Sequence, residues 1–230
     1  MMLSNQIRGS LFGINKNCFT PRDTLRLITY LHSGNRVRGI KRDPTSYMIN
    51  PYGLTYDKVQ KEKGVSTSEF FSKIRNNLPL KKFDISVDDN LLLQCFTHKS
   101  FAHGKVPYNE KLFIMGSHFL KIQASVYSIK SNKAKDKDTL INGMNFNTLG
   151  STMSKQILSE YKLAQFMESL GLKELIFWKK RNVNENNDFN GEPKIVSSVL
   201  NSLVGAILLT NGVEKTSSFV NDFLLKNEES

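Results

Sequence analysis

The spacing of apolar residues after residue 68 constrains the fold of this chain more than any other feature. From Ser68 onward they recur at intervals of three and four residues, and no credible set of alternating strands interrupts them. Such spacing places apolar side chains on one face of an α-helix. We therefore predict an all-α domain over 68–230, with helices at 68–77, 89–96, 107–130, 146–158, 160–170, 193–211 and 213–227.

Three segments lack this spacing. Residues 43–67 are rich in turn formers, with two prolines and two glycines, and we interpret them as a linker or an irregular wrapping of the domain. A lysine-rich stretch at 130–138 and an asparagine-rich stretch at 182–190 have little capacity to form a core, so both are predicted as loops between helices.

The N-terminal residues differ from the rest in charge. Through Arg42 the only acidic residue is Asp23, whereas eight residues are basic, and Leu3, Ile7 and Leu11 fall on one helical face. An amphipathic, acid-poor, basic N-terminus is typical of a mitochondrial targeting segment, which we predict over 1–35. The alternative is a basic arm that lies on RNA. The two can coexist, with 36–67 remaining as a basic arm and linker.

The overall composition limits the classes of function. A formal net charge of +11 favours a polyanionic partner, either nucleic acid or an anionic membrane surface, although a basic protein can also lack such a partner. The two cysteines, Cys18 and Cys95, are too few for a disulfide framework or a cysteine zinc site. The best apolar run, 199–209, is short and contains polar residues, so we predict no membrane span. We expect no cofactor.

Three blocks of sequence resemble the ribonuclease III domain family. The stretch from Leu91, LLLQCFTHKSFAHGKVPYNEKLFIMGSHFL, resembles the family's LLxxALTHxS followed by NERLEFLGDAVL. Leu170-Gly171-Leu172 resembles the family's LGL, and SSVLNSLVGAILLTNG at 197–212 resembles ADAFEALIGAIYLDGG. The blocks agree in order and spacing. The resemblance covers roughly residues 70 to 227 and implies a ribonuclease III-type helical domain.

This chain departs from the family at the residues that carry catalysis. The resemblance implies phosphodiester hydrolysis assisted by Mg²⁺, with acidic ligands from two helices. At those positions the chain has Phe113 and Ser117 on the first helix and Ser198 and Asn201 on the second, and only Glu110 is retained. Neutral side chains bring no charge to hold a hard dication. We therefore expect no metal site and no catalytic residues, and we predict that the chain is not an enzyme.

Glu110 and two histidines have simpler interpretations than catalysis. Glu110 is predicted to begin a helix, where its charge interacts favourably with the helix dipole. His98 and His118 lack neighbouring acids, so we interpret them as packed or hydrogen-bonded imidazoles rather than metal ligands.

The helix that follows Glu110 is apolar nearly all round, which indicates burial on all sides. In the ribonuclease III family this helix forms the dimer interface, so the resemblance implies a partner domain of the same fold. The residues that would form the interface are Leu112, Ile114, Met115 and Phe119. The alternative is a core helix of a monomer.

Contacts with RNA would come from lysines and arginines that reach phosphate groups. Three clusters are candidates, the last of them beside two aromatic residues, Phe177 and Trp178. They are the arm Arg36, Arg38, Lys41 and Arg42, the loop Lys133, Lys135 and Lys137, and the run Lys179, Lys180 and Arg181. Each cluster taken singly can also be an ordinary solvated surface.

A basic, catalytically inactive ribonuclease III domain with a targeting segment is similar to the ribonuclease III-like structural proteins of the mitochondrial ribosome, particularly those of fungi. We therefore predict a structural constituent of the large subunit in the mitochondrial matrix. Its expected partners are large-subunit rRNA, a second ribonuclease III-like ribosomal protein in a heterodimer, and other ribosomal proteins. The alternatives are an active mitochondrial endoribonuclease that processes double-stranded RNA, and a protein-only ribosome assembly factor.

Overall fold

The computed structural model describes residues 48–65, 68–131, 141, 144–150, 155–156 and 158–225. Within these ranges the chain is helical and has only isolated β-bridges, which confirms the predicted all-α class. The α-helices are α1 Tyr56–Lys61, α2 Glu69–Asn77, α3 Asp89–Cys95, α4 Glu110–Ser131, α5 Glu160–Ser169 and α6 Glu192–Phe219. Short 3₁₀ turns lie at Leu80–Phe83, Phe101–Gly104, Phe146–Thr148 and Lys173–Leu175, and a π-helical turn covers Val220–Leu225.

Local hydrogen bonds explain where several helices begin. The Asp88 carboxylate accepts a bond from the Asn90 N–H at 3.0 Å ahead of α3, and the Ser159 hydroxyl accepts one from the Lys162 N–H at 3.3 Å ahead of α5. Such caps satisfy N–H groups that have no partner inside the helix. The predicted ends of α2, α3 and α5 are confirmed to within one residue.

Two predicted helices differ from the structure. The helix expected from residue 107 begins at Glu110, because the Asn109 N–H is held by the Thr97 carbonyl at 2.9 Å and keeps the preceding chain out of the helix. The helix expected over 146–158 is only partly present in the described residues: Phe146–Thr148 is a 3₁₀ turn, and 155–156 are helical. Leu149 is extended at φ −64° and ψ 129°, and Gly150 has a positive φ of 70°.

Helix α6 forms the centre of the domain. Most residues from Ile195 to Ile207 are buried, and α6 packs against α3, α4 and α5. The break predicted near residue 212 is present, since Gly212 has φ 81° and ψ 177°, a conformation that only glycine adopts readily. By length and composition the segment Glu192–Leu225 could cross a membrane, but 67% of its most apolar window is buried inside the domain. Such burial is typical of a core helix.

A cluster of aromatic rings fills the space beside α6. Phe71, Phe96, Phe101, Phe177 and Trp178 are fully buried. Several rings meet edge to face, as where the centroids of Phe70 and Phe71 lie 5.0 Å apart. Burial of each such side chain contributes about 2 to 3 kcal/mol, so this cluster is a major source of stability.

The described part of the turn-rich segment fits the second of its two predicted alternatives, an irregular wrapping of the domain. In the described part of 36–67, Tyr56 and Val59 on α1 are buried, and the Tyr56 ring lies 5.2 Å from that of Phe177. The Asn50 amide donates hydrogen bonds to the carbonyls of Glu174 and Ile176 at 2.8 and 3.1 Å. These contacts anchor 48–61 to the domain. The predicted targeting segment 1–35 and the arm through residue 47 lie outside the described residues.

Candidate functional site

The centre of the candidate site is the place where α4 crosses α6. A Cβ atom added to Gly116 would stand 1.8 Å from the Asn201 carbonyl oxygen, and one added to Gly205 would stand 2.2 Å from the Leu112 carbonyl oxygen. The two backbones are therefore in direct contact, which only glycine at both positions allows. This crossing brings residues 109–117 of the chain opposite residues 197–205.

Three polar side chains at the crossing donate hydrogen bonds to carbonyls of their own helices. The Ser117 hydroxyl donates to the Ile114 carbonyl at 2.9 Å, and the Ser198 hydroxyl donates to the Ile195 carbonyl at 2.6 Å. The Asn201 amide donates to the Ser197 carbonyl at 2.8 Å. Such bonds to the carbonyl three or four residues earlier use the side chain's polar group within its own helix.

Glu110 is the first residue of α4, as predicted, and both of its oxygens accept hydrogen bonds from the Lys99 ammonium, at 2.8 and 3.1 Å. The hydrogen bond and the charge of Glu110 raise the pKa of Lys99 above its ordinary value. Glu110 is thus an ion-pair partner in this structure. Phe113, one turn farther along α4, is half-buried and offers only carbon.

The donor set at the crossing does not fit a magnesium ion. A divalent cation needs several oxygen ligands with negative charge, but the only carboxylate here is paired with Lys99. The neighbouring positions offer only neutral hydroxyl and amide oxygens, which bring no charge, or carbon. Within the described ranges no three side chains of His, Cys, Asp or Glu lie close enough together to hold a metal ion.

The two histidines have different environments. Nδ1 of His98 accepts the Ser100 N–H at 3.2 Å and lies 2.9 Å from the Ser100 hydroxyl, so the neutral ring carries its proton on Nε2. Burial lowers the pKa of His98 below its ordinary value. His98 is therefore a hydrogen-bonded imidazole, as predicted. His118 is exposed on α4, so of the two predicted alternatives, a packed or a hydrogen-bonded imidazole, the packed one is wrong.

The residues predicted for a dimer interface separate into two groups. Leu112 is 5% exposed and belongs to the core of this chain, and Phe119 is half-buried against that core, because both face α6 at the crossing. Ile114 and Met115 point away from α6 and are 51% and 38% exposed. The prediction that α4 is buried on all sides is therefore wrong for the single chain. One apolar face of this helix is exposed.

Of the predicted RNA contacts, the structure describes only the run Lys179, Lys180 and Arg181. The arm from Arg36 to Arg42 and the loop from Lys133 to Lys137 lie outside the described residues. Lys179 and Lys180 are half-buried and Arg181 is exposed. The aromatic residues that precede them are fully buried in the core and cannot stack on bases.

A buried ionic network beside the start of α6 was not predicted from any sequence pattern. The Glu192 carboxylate is almost fully buried and accepts hydrogen bonds from the Tyr52 hydroxyl, from the Asn187 amide at 3.0 Å and from the Lys173 ammonium at 3.1 Å. Burial would lower the pKa of Lys173, but its bonds to Glu192 and Glu168 raise it above the ordinary value. Tyr52 lies in the turn-rich segment, where no periodic pattern marks it.

Comparison with known proteins identifies the family. A family model described as ribonuclease-III-like matches residues 88–228, which is more than half of the chain. The chain belongs to the ribonuclease-III-like family. This finding confirms the resemblance carried by the three sequence blocks, and the matched range contains both α4 and α6, whose crossing forms the candidate site.

Bacterial ribonucleases of this family are similar to the chain in sequence. A protein named Ribonuclease 3 from Campylobacter jejuni strain RM1221 is 31% identical over 140 residues, which are 61% of this chain and 56% of that protein. Ribonuclease 3 of Tropheryma whipplei strain Twist is 26% identical over 147 residues, covering 63% of this chain and 60% of that protein. The chain thus spans less than two thirds of the length of these relatives.

Solved structures of the same family share the fold. A crystal structure of the nuclease domain of ribonuclease III from Campylobacter jejuni matches with a TM-score of 0.53 and 26% identity, covering 71% of this chain and 99% of that one. A second structure of that nuclease domain, described for flexibility in a region involved in dimer formation, matches with a TM-score of 0.50 and 25% identity, covering 66% and 96%.

Proposed function

We propose that this chain is a non-catalytic member of the ribonuclease-III-like family and a structural constituent of the mitochondrial ribosome's large subunit. One observation carries the proposal. At the positions that the resemblance equates with the metal-binding acids, the neutral side chains of Ser117, Ser198 and Asn201 donate within their own helices. Gly116 and Gly205 keep the two helices in contact. A domain retained as a scaffold needs the helix crossing and does not need the ligands.

The proposed nucleic-acid partner is the rRNA of that subunit. A net charge of +11 favours association with a polyanion, and proteins of the same family are named for acting on RNA. The acid-poor segment 1–35 supports delivery to the mitochondrial matrix.

The proposed protein partner is a second ribonuclease-III-like domain that covers the exposed apolar face of α4. This face consists of Ile114, Met115, Ile122 and Val126. After Glu110 the helix has no acidic residue, but it has Lys111, Lys121 and Lys130. Two copies of the chain facing each other here would bring like charges together, whereas a partner with carboxylates around its apolar face would pair with them. A heterodimer therefore fits better than a homodimer.

Sedimentation of the tagged protein tests this proposal. Mitochondrial lysate would be resolved on a gradient containing magnesium, and on a second one with EDTA, which dissociates ribosomal subunits from each other. We expect the protein to sediment with the large-subunit rRNA in both gradients. Sedimentation of all the protein apart from that rRNA in the magnesium gradient would contradict the proposal.

The names of the relatives favour a second candidate, an active nuclease that processes double-stranded RNA. Because the described residues contain no metal-binding cluster, this function would require ligands from other residues of the chain or from a partner subunit. Cleavage that appears only when the purified partner is added would favour this candidate. The assembly-factor alternative, in contrast, predicts no crosslinks from the basic segments to RNA.

A further inference from the structure

Two segments that are about 80 residues apart in sequence lie side by side at one surface of the domain. The Phe177 N–H donates to the Phe96 carbonyl and the His98 N–H donates to the Phe177 carbonyl, both at 2.8 Å. The Lys179 N–H donates to the Ser100 hydroxyl at 3.1 Å. These bonds hold 96–100 parallel to 177–179.

Five basic residues lie on these paired segments or shortly after them in the chain. Lys99, Lys105 and Arg181 are exposed, and Lys179 and Lys180 are half-buried. We call these five residues the basic platform. Lys99 is paired with Glu110, whereas Lys180 and Arg181 form no ion pair with another residue of the described ranges. Lys180 and Arg181 are therefore the platform charges that a ligand can reach without breaking an ion pair within the described ranges.

The backbone beneath the platform is held in place. Phe101, Phe177 and Trp178 are fully buried and anchor both segments in the aromatic core. Between Lys99 and Lys105 the chain turns through Ala102 and His103, which have positive φ values of 46° and 55°. Backbone in this strained conformation persists only where its surroundings fix it. A fixed backbone reduces the entropy lost when the side chains bind a ligand.

We propose that the basic platform is a binding site for the phosphate backbone of RNA. The inference rests on the proposed RNA-associated function and names the surface that makes the contact. Ammonium and guanidinium groups bind phosphate oxygens directly, so this binding needs no magnesium. Because Phe177 and Trp178 are buried, neither ring can stack on bases, and we expect phosphate contacts to make the binding largely independent of RNA sequence.

Fluorescence anisotropy with the full chain tests the platform. The probes are a labelled 20-base-pair RNA duplex and a 20-nucleotide single strand, each titrated over a KCl series with and without magnesium. We expect the double variant Lys180→Gln/Arg181→Gln to weaken binding about tenfold and to reduce the slope of log Kd against log salt by about 2, since each lost phosphate contact lowers that slope by about 1.

A charge-matched control is available at the other end of α6. Lys81 and Lys82 are exposed in the turn Leu80–Phe83, next to a segment bonded to Asn211. The platform lies near Ser198 on the same helix, because Ser198 is bonded to Asn109, and the next residue, Glu110, pairs with Lys99. At 1.5 Å per residue, Ser198 and Asn211 are about 20 Å apart along the helix. We expect Lys81→Gln/Lys82→Gln to change the affinity by no more than about twofold.

Glu110→Gln provides an opposite prediction. Removing this carboxylate frees Lys99 for phosphate, so we expect RNA to bind about two to three times more tightly, with a salt slope steeper by about 1. Circular dichroism establishes that each variant is folded. Weaker binding by folded Glu110→Gln would contradict the proposal.

The remaining outcomes separate this inference from the proposed function. If the platform and control variants lose RNA affinity equally, the platform is not the binding site, although the chain still associates with RNA. No RNA binding by the wild type would overturn both. Binding to phosphatidylserine vesicles that is lost in Lys180→Gln/Arg181→Gln, with no RNA binding, would assign the surface to a membrane.

Discussion

At the scale of single residues, Glu192 illustrates how a buried charge makes its neighbours necessary. Its carboxylate is surrounded by Tyr52, Asn187 and Lys173, which come from three separate segments. A buried ion pair contributes little net stability when complete, but the loss of one partner leaves an uncompensated charge. Residues 48–54 are therefore tied to the start of α6 through this carboxylate.

Lys173→Met is expected to lower the free energy of unfolding by about 2 kcal/mol. The value lies below the 3 to 5 kcal/mol typical of a buried pair because Lys173 is about a quarter exposed. Urea denaturation measures the change. Adding Glu192→Gln should recover part of the loss, since the buried site is then neutral. If the two substitutions are simply additive, the ion pair is not coupled as the structure indicates.

His98 predicts a dependence of stability on pH. Burial holds its pKa in the folded protein below 6.5, the ordinary value of the unfolded chain. The unfolded chain therefore binds a proton more readily, so this stabilisation is complete above about pH 6.5 and is lost as the pH falls below it. We expect the free energy of unfolding to decrease between pH 7 and pH 5, and to decrease less in His98→Gln. If the free energy of unfolding changes equally with pH in the wild type and in His98→Gln, His98 is not the source of the pH dependence.

The sequence predicted individual residues only where a local pattern specifies them. Glu110 was predicted as a helix start because acidic residues are favoured there, and the structure agrees. The ion pair of Glu110 with Lys99, and the network around Glu192, depend on side-chain positions that no spacing along the chain encodes.

At the scale of secondary-structure elements, the crossing of α4 and α6 determines the packing of the domain. Gly116 and Gly205 leave no room for a side chain between the two backbones. The sequence predicted the helices from their periodicity, but periodicity does not distinguish a helix buried on all sides from one that keeps a free apolar face.

Gly116→Ala is expected to destabilise the protein by about 3 kcal/mol or more, because the added methyl group would overlap the Asn201 carbonyl and force the helices apart. Thermal unfolding followed by circular dichroism measures this. The control is Ser125→Ala, on the outer side of α4. Gly53→Ala would not serve as a control, because Gly53 has a positive φ and alanine there would strain the backbone. Similar melting temperatures for Gly116→Ala and Ser125→Ala would contradict the observed crossing.

The exposed face of α4 predicts a second effect at this scale. Ile122 is 60% exposed, so Ile122→Asp should leave the isolated domain folded but prevent association with the proposed partner. Co-purification of the partner with the tagged protein is the measurement. Val183→Asp, at a position that is 77% exposed in the asparagine-rich loop, is the matched control. Equal recovery of partner with both variants would exclude this face as the interface.

At the scale of the whole molecule, the sequence predicted the all-α class and the family, because both depend on patterns repeated along the chain. It left open whether 43–67 is a linker or an irregular wrapping of the domain. The anchoring of 48–61 depends on Asn50 and Tyr56, which meet residues more than 40 positions away. Long-range contacts of this kind leave no periodic trace, so the folded unit was wider than periodicity indicated.

The molecule as a whole combines a family fold with a site that does not fit the metal its family implies. A cleavage assay with double-stranded RNA and magnesium tests this combination most directly, using the wild type alone and with its partner, and the Campylobacter jejuni relative as a positive control. We predict no cleavage above the magnesium-free background and no difference between wild type and Glu110→Gln. Magnesium-dependent cleavage by the wild type that is lost in Glu110→Gln would contradict the account.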